Sequence, residues 1–128
     1  PADRTTGPRA RYRLMSWDLI IKERFSAAHF LEHYQGKCER MHGHTFEVEV
    51  VFAASELDAS GIGIDFTVLR QYLREILPDH RVLNEVYPFS PSAENLSRAL
   101  YQTIRDRFPV RSVTVWESPN AGARYAED

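Results

Sequence analysis

The amino-acid sequence predicts an α+β domain in which two helices cover one face of an antiparallel sheet. Three observations lead there. Two segments near the start have the apolar pattern of strands, two later ones carry apolar residues at helical spacing, and two short strand-like segments close the chain. Strands and helices are thus segregated as β-β-α-α-β-β, the order of an α+β domain rather than of alternating parallel units.

The first strand is expected over residues 17–25, where Trp17, Leu19 and Ile21 share a face. The second is expected over 44–52, with Phe46, Val48, Val50 and Phe52 on one side and Glu47 and Glu49 on the other. Between them lies a loop too long for a simple hairpin, and so a candidate functional loop. Ser60-Gly61-Ile62-Gly63 breaks the pattern. Asp65 then caps the first helix, whose apolar stripe is Phe66, Leu69, Leu73, Ile76 and Leu77 up to Pro78. A second loop, 79–92, holds Pro88 and Pro91. Ser92 caps the second helix, Glu94 sits in its first turn, and Ala93, Leu96, Leu100, Ile104 and Phe108 form its stripe before Pro109. Residues 112–117 alternate again, Pro119-Asn120 marks a turn, and 121–126 can form a short closing strand. The face opposite the helices carries Glu47 and Glu49 beside Val51, a mixed surface suited to packing against other subunits.

Bulk composition narrows the function classes. At 128 residues, with 43% hydrophobic and 27% charged positions, the chain is an ordinary soluble globular domain. No apolar run approaches the roughly 20 residues of a membrane span. The only cysteine, Cys38, has no internal partner, so it is a free thiol suited to a reducing cytoplasm. The net charge of −2 divides unevenly, because Arg4, Arg9, Arg11 and Arg13 face only Asp3 in residues 1–14. That segment has no apolar periodicity. It is expected to be a disordered basic leader or a cloning remnant, with 15–128 forming one domain. The remaining body is acidic and offers no nucleic-acid surface.

Chemistry concentrates in Cys38-Glu39-Arg40-Met41-His42-Gly43-His44, which holds the lone thiol and two of the five histidines. Imidazoles at i and i+2 on an extended segment point to one face and can reach one ion. If the first two strands pair antiparallel, the end of one lies beside the start of the other. His29 then joins His42 and His44 as a third ligand, leaving a tetrahedral position open. Imidazole nitrogens favour zinc over magnesium or calcium, without excluding iron, copper or nickel. Cys38 can be a buried inert thiol, a fourth ligand or a nearby base; the flanking Lys37, Glu39 and Arg40 argue against burial. His33 falls in the loop and is expected to be structural. Asp79-His80 follows Pro78, and the acid can tune the imidazole for proton transfer. Glu117 ends an apolar strand, where a carboxylate is either solvated or turned into a crevice. In a crevice it can accept two hydrogen bonds from an amino-amide edge.

Taken in order, several motifs resemble the 6-pyruvoyltetrahydropterin synthase family. They are Phe25-Ser26-Ala27-Ala28-His29, Cys38-x3-His42-Gly43-His44, Ile64-Asp65-Phe66, Asp79-His80-x2-Leu83-Asn84, Ser92-Ala93-Glu94-Asn95 and Glu117-x4-Gly122. The resemblance covers residues 17–125. The three-residue gap between Cys38 and His42 is similar to that of the bacterial 6-carboxy-5,6,7,8-tetrahydropterin synthases of queuosine biosynthesis. It departs from the family in having Pro78 where leucine is usual. The resemblance implies the tunnelling fold (T-fold), a hexamer built as a dimer of trimers, and active sites between subunits. It implies Zn2+ on His29, His42 and His44, with Cys38 as general acid/base completed by Asp79 and His80. Glu117 would anchor the pterin ring. The implied substrate is 7,8-dihydroneopterin triphosphate, and the implied products are 6-carboxytetrahydropterin, acetaldehyde and triphosphate. For the triphosphate, Lys22, Lys37, Arg40 and Arg124 are candidates by charge alone. The rivals are a pyruvoyl-forming synthase, a dihydroneopterin aldolase that would not need the three histidines, and a non-catalytic zinc-stabilised binding module.

Overall fold

The computed structural model describes residues 16–36 and 39–128. Within them the chain forms β1 (Trp17–His29), β2 (His42–Ala54), α1 (Phe66–Ile76), β3 (Arg81–Val82), α2 (Leu83–Val86), α3 (Ala93–Arg105), β4 (Val110–Ser118) and β5 (Ala121–Tyr125). The sheet order is β3-β1-β2-β4-β5. The four long strands pair antiparallel, and β3 alone runs parallel to its neighbour β1. The expected β-β-α-α-β-β order is therefore present, with a two-residue strand and a one-turn helix added inside the second loop. Elements that short carry no readable periodicity.

β1 and β2 are longer than their apolar patterns indicated, because pairing continues to the last residue of each strand. The ladder runs without a break from Trp17↔Ala54 to His29↔His42. Alternation then sorts the side chains. Ile21, Phe25, Phe46, Val48, Val50, Phe52, Val113 and Val115 face the helices and are buried with Leu69, Leu73, Leu96, Leu100 and Ile104. Phe25 and Phe46, directly opposite each other, stack with ring centroids 5.0 Å apart.

The helices begin where their caps dictate. Asp65 Oδ1 accepts from Thr67 N at 2.9 Å, and Ser92 Oγ accepts from Asn95 N at 3.2 Å. Phe66, expected in the apolar stripe, is 52% exposed, and Leu69, Tyr72 and Leu73 are the residues α1 buries. Phe66 borders an open hollow with Trp17, Leu19, Leu57 and Ile62, so helical phase alone does not guarantee burial there. α1 is tied to β1 by Glu23, whose carboxylate meets Arg70 at 3.1 Å and Arg74 at 3.4 Å. On the helix-free face, Glu49 lies between Lys22 at 3.9 Å and Arg124 at 3.2 Å, and Arg24 approaches Glu47 at 3.9 Å. Lys22 and Arg124 are thus engaged in a cross-strand charge ladder.

Among the described residues β1 pairs with β3 only at Ala27 and Ala28, so residues 17–25 form an open sheet edge; β5 forms the other. Between Trp116 and Ser118 the β4–β5 register shifts, and Glu117 sits at that irregularity. Opposite it, Gly122 leaves no room for a side chain. A Cβ there would lie 2.7 Å from the Val115 carbonyl oxygen and 2.8 Å from the Trp116 ring. Gly122→Ala is expected to destabilise the fold by about 1–3 kcal/mol through this overlap with backbone. A urea denaturation midpoint that falls at unchanged slope checks it, and an unchanged midpoint refutes it.

Candidate active site

The core row of β1 and β2 changes character at one end. Next to the Phe25–Phe46 layer come Ala27 opposite His44, then His29 opposite His42. All three histidines therefore stand on the helix-covered face, His44 where the small Ala27 leaves width for its ring. Ring centroids are 4.6 Å apart for His29–His42, 5.1 Å for His29–His44 and 4.7 Å for His42–His44. Phe46 packs edge-on against both His29 and His44, with centroids 5.4 Å away in each case. Each imidazole offers one nitrogen, and these three atoms lie within 4.8 Å of one another.

Hydrogen bonds set which nitrogen faces the cluster. His29 Nδ1 lies 2.8 Å from the Pro91 carbonyl oxygen, and His42 Nδ1 lies 2.6 Å from the Arg40 carbonyl oxygen. A carbonyl only accepts, so both Nδ1 atoms carry the proton and both Nε2 lone pairs remain available. His29 is 0% exposed, and its Nε2 is buried without a hydrogen-bond partner. Leaving such an atom unsatisfied costs about 1–3 kcal/mol, a cost a bound ion would remove. Desolvation lowers the pKa of His29 and of His44 below the usual histidine value, against an opposing pull from Glu117 on both. For His29 and His44 burial thus favours the neutral imidazole, the form that ligates metal. Borderline imidazole donors with an open position fit zinc.

Glu117 completes the layer. It follows Val113 and Val115 at two-residue spacing onto the helix-covered face of β4, and its Oε1 lies 3.9 Å from His29 Nε2. That is too long for a hydrogen bond, and a neutral His29 makes no ion pair. The carboxylate instead borders the space into which the imidazoles point. Glu117 also lines a cavity of about 600 Å³ on the charged face of the sheet, with Lys22, Arg24, Glu47, Glu49 and Trp116; the three histidines are not among its lining.

Asp79 and His80 form a separate dyad beside the edge of β1. Asp79 Oδ1 accepts from Ser26 N at 2.8 Å, and Asp79 Oδ2 lies 2.9 Å from His80 Nδ1. Chiefly the Ser26 amide holds the Asp79 carboxyl below the usual carboxylate range. His80 adopts φ 57°, a left-handed conformation rare for a side-chain-bearing residue, and its N donates to Ser26 O at 2.6 Å. Its side chain is 83% exposed, and it lines with His44 an open groove beside Ser26 and Thr45. Pro78 is buried just before the dyad. His33 is exposed in a left-handed turn, φ 60°, outside the histidine cluster.

Cys38 and Lys37 lie outside the described residues, as does the leader 1–14. The carbonyls of Pro91 and Arg40 are the groups that sequence reasoning missed. Backbone acceptors carry no residue-type signal, and only the fold brings them to a ring nitrogen.

A sequence model of the family described as 6-pyruvoyl tetrahydropterin synthase matches residues 18–128. A Synechocystis protein named 6-carboxy-5,6,7,8-tetrahydropterin synthase is 33% identical over 119 residues, covering 85% of this chain and 92% of the relative. A Pyrococcus horikoshii protein named putative 6-carboxy-5,6,7,8-tetrahydropterin synthase is 44% identical, covering 87% and 73%. A Pyrococcus furiosus dihydroneopterin monophosphate aldolase is 30% identical, covering 81% and 92%. The structure of Caenorhabditis elegans 6-pyruvoyl tetrahydropterin synthase superposes with a TM-score of 0.77 at 23% identity, covering 89% of this chain and 97% of that one, and so shares its fold. By the extent of the family match and of these relatives, the chain belongs to the 6-pyruvoyl tetrahydropterin synthase family.

Proposed function

We propose that this enzyme is a zinc-dependent lyase that converts 7,8-dihydroneopterin triphosphate to 6-carboxy-5,6,7,8-tetrahydropterin, acetaldehyde and triphosphate, a step of queuosine biosynthesis. One observation carries the reading. Three imidazoles converge, each with a nitrogen within reach of one ion and a carboxylate at their border, in a chain whose relatives are named for this reaction.

In this reading His29, His42 and His44 hold the ion. Bound there, zinc supplies Lewis acidity that lowers the pKa of substrate hydroxyls reaching it. Glu117, at the mouth of the cavity, accepts two hydrogen bonds from the amino-amide edge of the pterin. The triphosphate is left to the cations by elimination: Lys22 and Arg124 are paired with Glu49, and the exposed Arg40 remains a candidate with Lys37. Cys38, four residues before His42, takes the proton from the side-chain carbon beside the ring. Asp79 accepts from His80 Nδ1 and so presents Nε2 for the later proton transfers.

The exposed dyad stands at the sheet edge, which suits a role completed by a second copy. The open edges of β1 and β5 supply unpaired backbone groups with which copies can join into rings. We therefore propose a dimer of trimers with its active sites between subunits. Among the described residues no helix is long and apolar enough to cross a membrane, and the single thiol suits a cytoplasmic setting. The aldolase relative favours a second reading, retro-aldol cleavage of a dihydroneopterin phosphate.

Mass analysis after incubation with 7,8-dihydroneopterin triphosphate is expected to show the carboxylated pterin and acetaldehyde, both abolished by a chelator and restored by zinc. Pyruvoyltetrahydropterin without acetaldehyde would refute the carboxylated product. A two-carbon hydroxyaldehyde would establish the aldolase instead. Cys38→Ala is expected to retain stoichiometric zinc while turnover falls roughly 10²–10⁴-fold. Loss of zinc together with stability in that variant would make Cys38 a fourth ligand and favour the non-catalytic binding module.

A further inference from the structure

The end of β1 is gripped by a single stretch of chain, residues 79–84. Asp79 and His80 bond both backbone groups of Ser26. Arg81 and Val82 then pair in parallel with Ala27 and Ala28. There β3 stops, because the chain turns into α2, anchored by the buried Leu83. Phe30 lies one residue beyond the end of β1 and would have no rung. Asn84 supplies one from its side chain. Its Oδ1 accepts from Phe30 N at 3.0 Å, and its Nδ2 donates to Phe30 O at 3.0 Å.

A carboxamide is the one neutral side-chain group that copies a peptide unit, with an acceptor and a donor in one plane. Here it extends the ladder past the point where backbone pairing ends. The residue so held follows His29, the most buried of the three ligands. His29 cannot correct a misplaced backbone by swinging its ring, because Nδ1 is committed to Pro91 O and the ring packs against Phe46. Phe30 is also where the loop that carries Cys38 departs.

We propose that Asn84 is a positioning residue of the metal centre, its carboxamide clamping Phe30 and thereby aiming His29. The proposal rests on the reading that the three histidines hold a divalent ion. It assigns Asn84 no contact with that ion or with substrate.

The test loads cobalt(II) into the full chain and measures its affinity by chelator competition and its d–d absorption. Asn84→Ala is expected to weaken cobalt binding roughly 10–100-fold and to alter the spectrum. Asn84→Asp keeps the acceptor for Phe30 N but sets a second carboxylate oxygen against Phe30 O, so a loss of affinity and an altered spectrum are expected here too. Thr103→Ala removes a comparable side-chain-to-backbone bond, Thr103 Oγ1 to Ala99 O at 3.0 Å, far along α3. It is expected to leave affinity and spectrum unchanged even where it lowers the metal-free melting temperature. Wild-type affinity and spectrum in Asn84→Ala would overturn the proposal. So would an equal loss of affinity in Thr103→Ala at equal destabilisation, since binding would then follow stability alone. If Asn84→Ala does not fold, Asn84→Asp decides by the same two readouts. Failure of the unaltered chain to bind cobalt would instead overturn the three-histidine reading itself.

Discussion

The register of the β1–β2 ladder is the constraint on which the site depends. A slip of one residue would send every inward side chain of one strand to the charged face. A slip of two would keep the faces but move His29 off His42 and break the Phe25–Phe46 stack. The long connection between the strands cannot set this register as a tight turn would. The core sets it: Phe25 and Phe46 stack, and Phe25, Phe46, Val48, Val50 and Phe52 are all buried in this alignment. The hydrophobic effect that stabilises the fold therefore also determines which imidazoles meet.

The same packing makes the site costly to the protein that carries it. His29 takes a fully buried position beside Phe46 and leaves Nε2 without a partner. Burial holds the ring neutral, as ligation needs, but removes the water that would otherwise satisfy it. His80 is held in a left-handed conformation by its own N–H and the Asp79 carboxylate, which bond the two backbone groups of Ser26. Unsatisfied polar atoms and local strain of this kind concentrate at functional sites, where the surrounding structure over-determines them.

Much of this was legible in the chain because two-residue periodicity is simple to read. It placed His42 and His44 on the face of Phe46, and antiparallel pairing then brought His29 to them. Asp65 and Ser92 were readable as caps because their side-chain oxygens are the signal. What escaped was whatever depends on tertiary context. Arg81–Val82 and Leu83–Val86 are too short for any period to show. Phe66 has the right helical phase but borders an open hollow and stays half exposed. The acceptors for His29 and His42 are backbone carbonyls, which every residue offers alike. Asn84 was visible as part of a motif, yet its partner is a backbone unit 54 positions earlier, and no local pattern reveals that.

Viewed across strands, the site is one layer of the core with its chemistry changed. β1 ends its inward row in His29, β2 begins its inward row with His42 and His44, and β4 carries Glu117 after Val113 and Val115. The β2–β4 ladder ends at Glu47↔Trp116, so the irregularity at Glu117 falls where β4 no longer has to match β2. Freed from pairing there, the strand can turn a carboxylate toward the imidazoles without breaking the sheet beneath. Apolar side chains in those four places would prolong the core and remove a buried unsatisfied nitrogen. They would also remove the three imidazoles and the carboxylate that we propose hold an ion and an amino-amide edge. The polar layer thus trades stability for chemistry, and it stands at the end of the sheet, where the rest of the core is left whole.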